Sequence, residues 1–143
     1  MSAVVFQAVR KLIEKHVGDN HAGGNLTNIH FEGVDFTAQA GHTWINVAIR
    51  FGASEQVNVG GSSGRRMERH AGVVIVNVFS KPKAGTDASL GVCDAVGAML
   101  RMRQLSNSDV TITLRTPEVT RVPDEKQYMR HKVSVAFHAD AFF

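Results

Sequence analysis

The sequence predicts an α+β fold: a mostly antiparallel or mixed β-sheet with two α-helices packed on one face, in a single domain over residues 1–143. Three observations predict it. Two segments repeat apolar residues at the three-and-four spacing of a half-buried helix, and several others alternate with the period of two of a half-buried strand. Strands and helices do not alternate in the strand-helix-strand rhythm from which parallel sheets are built. With 143 residues and 43% hydrophobic content, the chain is long enough to enclose one core and too short for two ordinary domains. Burial on that scale offsets the ordering entropy that keeps less hydrophobic chains unfolded.

The elements follow in order. Ser2 is placed to cap a first helix whose buried face is Val5, Val9, Leu12, Ile13 and His16, with Gln7, Arg10, Lys11, Glu14 and Lys15 largely on the wet side. Gly18 offers the left-handed conformation that ends helices, and DNHAGGN reads as a loop. Ile29 and Phe31 mark a short strand before Gly33. From Thr43 the period becomes two: Ile45, Val47, Ile49 and Phe51 point one way, and Trp44, Asn46, Ala48 and Arg50 the other. A glycine-rich loop is expected over about residues 52–68. AGVVIVNVF, Ala71 to Phe79, is apolar on both faces and rich in β-branched residues, as a central strand covered twice would be.

Lys81, Pro82, Lys83 and Gly85 form a turn, and Thr86 caps a second helix expected to run to about Met102. Its apolar face is wide. Ala88, Val92, Ala95, Met99 and Met102 make one stripe, Leu90, Cys93, Val96 and Leu100 another, and Gly91, Gly97 and Ala98 admit a close neighbouring backbone. Core packing accounts for most of this width, and a subunit contact at its edge for the rest. Two one-sided strands follow, built on Val110, Ile112 and Leu114 and on Val133, Val135 and Phe137. A loop carrying Pro117, Pro123, Asp124 and Glu125 is expected between them.

Composition excludes some classes. A single cysteine, Cys93, forms no internal disulfide, so folding needs no oxidising compartment and cytoplasmic synthesis is the expectation. The first helix is broken by Gln7, Arg10 and Lys11 before a signal-peptide core develops. No apolar run approaches the ~20 residues of a membrane span, so no membrane partner is expected. A formal charge of +3 permits an acidic partner without requiring nucleic acid.

The stretch NVGGSSGRRMERH carries the chemistry that most needs testing. Gly60, Ser62 and Gly64 satisfy G-x-S-x-G, with Asp124 and His131 following in triad order, but a nucleophile elbow opens a helix and this stretch leads into a strand. A phosphate loop needs lysine followed by serine or threonine at a helix start, and GGSSGRR supplies neither. The seven histidines, His16, His21, His30, His42, His70, His131 and His138, show no paired ligand spacing, and His131 and His138 fall on opposite faces of their strand. No catalytic, metal or cofactor site is therefore expected. Cys93 reads as a small buried hydrophobe.

What remains points to contacts. Arg65, Arg66 and Arg69 form a basic cluster suited to an acidic protein surface or to phosphates. Neutralising ~3 phosphates per copy would give a logarithmic salt slope of about −2.7. Without aromatic platforms in the loop, single-strand binding is disfavoured, though non-specific proximity to DNA stays open. A chain end in Phe142 and Phe143 leaves large apolar side chains to fold back or to dock on a neighbour. Trp44 and Arg50, on the outward side of their strand, complete the candidate subunit or tube contacts.

These landmarks resemble the tail terminator proteins of long-tailed bacteriophages. The resemblance spans nearly the whole chain: the amphipathic first helix, IHFEGVDF before WINVAIRF, the loop ending in GRRMERHAGVVIVNVF, SKPKAGTDAS opening the second helix, TLRTPEV, and the final KVSVAFHA. It implies a non-enzymatic virion assembly subunit, made in the host cytoplasm and resident in the tail. Such a subunit closes into a ring, commonly a hexamer, on the last ring of the tail tube. There it stops tube polymerisation and presents a surface to the head-tail connector, its partners being copies of itself, the tube protein and the connector. The loop around His21 to Gly24 and the phenylalanine-ended tail depart from the pattern. A head-tail adaptor, or a basic nucleic-acid-binding module, is the alternative reading.

Overall fold

The computed structural model describes residues 5–20, 29–33, 43–58, 67–80, 87–108, 110–125 and 128–142. Their order is α1 (Val5–Asn20), β1 (Ile29–Phe31), β2 (Trp44–Asn58), β3 (Met67–Ser80), α2 (Asp87–Leu100), β4 (Gln104–Ser106), β5 (Val110–Glu125) and β6 (Tyr128–Phe142). The strands form one mixed sheet in the order β1-β2-β3-β6-β5-β4. Only β1 on β2 is parallel; the β2/β3, β3/β6, β6/β5 and β5/β4 ladders are antiparallel. The fold is α+β, with the sheet its larger part.

Residue periodicity explains the long strands. Along β6, Met129, His131, Val133, Val135, Phe137, Ala139 and Ala141 are buried while the intervening residues are partly or fully exposed, so one face turns to the core. His131 and His138 accordingly fall on opposite faces. Val74, Val76 and Val78 of β3, Ile45 and Val47 of β2, and Val110, Ile112 and Leu114 of β5 join the same core, as do Val9, Ile13 and Val17 of α1 and Cys93, Val96 and Leu100 of α2. β3 is central as expected, but its second face is only half-buried at Val73, Ile75 and Asn77.

Several boundaries differ from the sequence expectation. Gly18 does not end α1; it is buried within the helix, which runs to Asn20, where the side-chain amide donates to the His16 carbonyl at 2.7 Å and terminates the last turn. Leu12 and His16 are half-buried rather than fully inside. The segment expected as loop from 52 to 68 is shorter, because β2 continues to Asn58 and β3 starts at Met67, paired across a bulge between Phe51 and Ser54. Arg65 and Arg66 lie outside the described residues.

α2 stops at Leu100, two residues short of the expected end, because Met102 turns left-handed (φ 52°) and is exposed. Ala95 and Ala98 face outward with it, so the wide apolar face is only partly core. Pro117, Pro123, Asp124 and Glu125 do not form a loop. They lie within β5, whose pairing with β6 shifts register between Leu114 and Pro117 and between Val122 and Glu125. Bulges and open edges are where a strand tolerates a residue with no N–H to donate. β4 has too few residues to show a period, so the sequence pattern does not reveal it.

Candidate functional site

The sheet separates the candidate contact residues. At one end of the β2/β3 ladder Trp44 opposes Phe79, and the two rings stack with centroids 4.0 Å apart and an 8° tilt. Tyr128 meets both edge-on, and the Arg130 guanidinium lies 5.2 Å from the Phe79 centroid. Trp44 is therefore half-buried inside an aromatic group of its own subunit. Beside it, Asn46 bonds His30 and receives a bond from Asn77, a polar row across β1, β2 and β3.

Arg50, further along β2, is exposed and pairs with Glu32 at 2.7 Å. Arg69 lies at the far end of the sheet, where it forks onto Asp140 with Nε–Oδ1 at 2.8 Å and Nη2–Oδ2 at 3.2 Å. The two residues are ladder partners of β3 and β6, so the pair is set by register. The same ladder brings the Phe142 backbone opposite Met67; the Phe142 side chain and Phe143 lie outside the described residues. Arg69 and the chain end are thus brought together, while Trp44 sits at the opposite end.

Next to Arg69, His138 lies 3.9 Å from Asp140 and 3.3 Å from Arg115. Burial holds its pKa below the ordinary imidazole value, and Arg69 adds to this against the opposing pull of Asp140. Two polar groups escape sequence reasoning because each is completed only by a residue from another element. Ser54 Oγ is 2.7 Å from His70 Nδ1, and Glu68 Oε1 is 3.2 Å from His70 Nε2. In a serine-protease triad the acid sits on Nδ1 and Nε2 faces the nucleophile, the reverse of this arrangement. Here the group spans the β2 bulge, Ser54 and His70 being ladder partners.

The second is a buried pair, Ser89 Oγ and His131 Nδ1, 2.6 Å apart between α2 and β6. His131 is therefore held in the core with Ser89. Ser62, Gly60 and Gly64 lie outside the described residues, but the next element is β3, a strand, and an elbow requires a helix there. Among the described residues no group of three or more His, Cys, Asp or Glu side chains is placed to hold a metal, and no helix is long and apolar enough to cross a membrane.

A concavity also lies beyond what the sequence pattern shows. A groove of about 440 Å³ runs between α1 and β2, with Phe6, Phe51, Val47 and Ile49 as its apolar lining and Arg10, Glu14 and Glu32 at its rim. Phe6 and Phe51 meet edge to face at 4.7 Å, and both stay exposed. The signal available in the sequence is Phe6, an aromatic residue off the buried stripe of its helix.

Comparison with known proteins places this arrangement. One solved structure, 16% identical, superposes with a TM-score of 0.72 over 95% of this chain and 96% of its own. A second, from the virion of a native gene transfer agent particle, is also 16% identical, with a TM-score of 0.57 over 99% of this chain and 100% of its own. At that identity both establish the fold alone. No curated protein sequence matches the chain. The family model described as phage tail terminator protein matches residues 8–137, and the chain belongs to that family of phage tail structural proteins.

Proposed function

We propose that the protein caps the end of a phage tail tube as a ring of identical subunits, most simply a hexamer, halting tube polymerisation and forming the surface that joins the head-tail connector. The family match over residues 8–137 carries this reading. The likeness to a structure from a virion particle supports a place within the tail. Partners in this role are further copies of the chain, the tube protein and the connector, and no bond-making chemistry is assigned to the subunit.

Arg65 and Arg66, in the segment between β2 and β3, are proposed to contact a neighbouring subunit or the tube end. A glycine-rich segment costs entropy to order, and contacts made on assembly offset that cost. Phe142 and Phe143 at the chain end are proposed as a second contact. Deleting the gene and imaging the particles tests the role. Over-long, headless tubes restored to normal length by complementation are the expected result. Tails of normal length that fail to join heads would instead identify a head-tail adaptor, and fully normal virions would overturn both.

A further inference from the structure

Among the described residues the large apolar side chains left exposed are Phe6, Phe51, Leu90, Met102 and Val119. They fall on two flanks. Phe6 and Phe51 border the groove at the β2 edge. Val119 lies on β5 at the opposite side of the sheet. Met102 is held against β5 by its N–H to the Arg115 carbonyl. Leu90 lies seven residues before Gly97 on α2, hence on the same helix face, and Gly97 abuts Pro117 of β5.

Both flanks open on the core side of the sheet. Phe51 is in register with Gly72, which pairs with Phe137, and Val119 pairs with Val133; Phe137 and Val133 are core residues. Each edge is partly open among the described residues: β1 pairs with Ile45 to Val47 of β2, and β4 with its flanking residues bonds β5 from Val110 to Arg115, leaving the Val119 stretch of β5 without a strand on its outer side. Between these edges β2, β3, β6 and β5 alternate in direction. Because their number is even, β5 of one copy runs antiparallel to β2 of the next when copies keep one orientation.

We infer that the Phe6–Phe51 groove receives the Leu90, Met102 and Val119 flank of a second copy of this chain. The contact is heterologous, one flank on the other, and therefore propagates around a ring rather than closing a two-fold dimer. Pro117 and Pro123 remove N–H donors from β5, so side chains carry the joint more than a continuous ladder does. Both rims carry both signs of charge, Arg10, Glu14 and Glu32 against the exposed Asp94 and Arg101, so neither flank repels the other as a block. The inference rests on the ring reading above and names its surfaces.

Short bis-maleimide cross-linking of Phe51→Cys and Val119→Cys variants tests it, since both positions are exposed and Cys93 is buried. Mixing the two single variants should give a covalent heterodimer, each alone should stay monomeric, and the double variant should give a ladder of multimers. Self-linking of either single variant, or no linking in the mixture, overturns the assignment. Imaging of completed tails separates the two levels. Rings at the tube end in which the thiols of Phe51→Cys and Val119→Cys do not link refute these surfaces alone. Absence of the protein from the tube end refutes the ring reading itself.

Discussion

Ser89 and His131 lie 2.6 Å apart, Oγ to Nδ1, in the core between α2 and β6. Burial, with Arg121 adding to it, holds the His131 pKa below its ordinary value of 6.5. In the unfolded chain the ring titrates near 6.5. Below that pH the unfolded state takes up a proton that the folded state resists, so stability is complete above it and declines as pH falls. His138 is shifted in the same direction and adds to the trend. The urea midpoint should fall between about pH 7.5 and about pH 5.5, and a Ser89→Ala/His131→Leu variant should lose part of that slope. An unchanged slope would show that His131 titrates alike in both states.

Gly72 carries a packing constraint. A Cβ there would lie 2.5 Å from Cζ of Phe137 and 2.7 Å from the Arg50 carbonyl oxygen. One of these neighbours is backbone and cannot swing away. Gly72→Ala should destabilise the fold by about 1–3 kcal/mol, seen as a lower denaturant midpoint. Combining it with Phe137→Leu should be non-additive, because the ring clash is removed and the backbone clash is not.

The sequence places Arg69 among the assembly contacts, and within the subunit it already forks onto Asp140. The pair is partly exposed, so removing it with Arg69→Ala should cost no more than about 1 kcal/mol. The exchange Arg69→Asp/Asp140→Arg keeps opposite charges in register. If the pair acts within the subunit, tail completion in infected cells should survive the exchange and fail with Arg69→Asp alone. Failure of both would assign Arg69 a contact outside its own subunit.

Charge reversal at Arg65 and Arg66 should abolish tail completion while leaving circular dichroism and the unfolding midpoint of the subunit unchanged. Normal tails from that variant would remove these arginines from assembly.

Cys93 is buried, and burial, with Asp94 adding to it, pushes its thiol up to about 11. Reactivity requires thiolate and access. A disulfide reagent at mildly alkaline pH should leave native protein unlabelled and modify one thiol per chain after denaturation. Rapid labelling of native protein would mean that α2 opens readily.

Local pattern was sufficient to place the two helices and the four long strands and many of their inward residues, but not Phe51, Leu90, Ala95 or Met102, which were read with the apolar faces and are exposed. Val110, Ile112 and Leu114, or Val133, Val135 and Phe137, need only their own alternation to be assigned to one face, whereas AGVVIVNVF, apolar on both faces, does not show which face of β3 is the inner one. That a strand, β3, follows the glycine-rich segment was legible as well. The family resemblance was carried by the order of those same segments.

Tertiary structure alone decided what depends on partners distant in the chain. Gly18 stays helical because Asn20 closes the turn behind it and α1 packs on the core, overriding a local preference to stop. Pro117 and Pro123 enter β5 because that edge is open and its ladder slips there, a fact about neighbours rather than about proline. Arg69 meets Asp140, Ser89 meets His131, and Phe6 meets Phe51 through register and helix docking across tens of residues. Periodicity determines which way a side chain points. Only the assembled sheet determines what it points at.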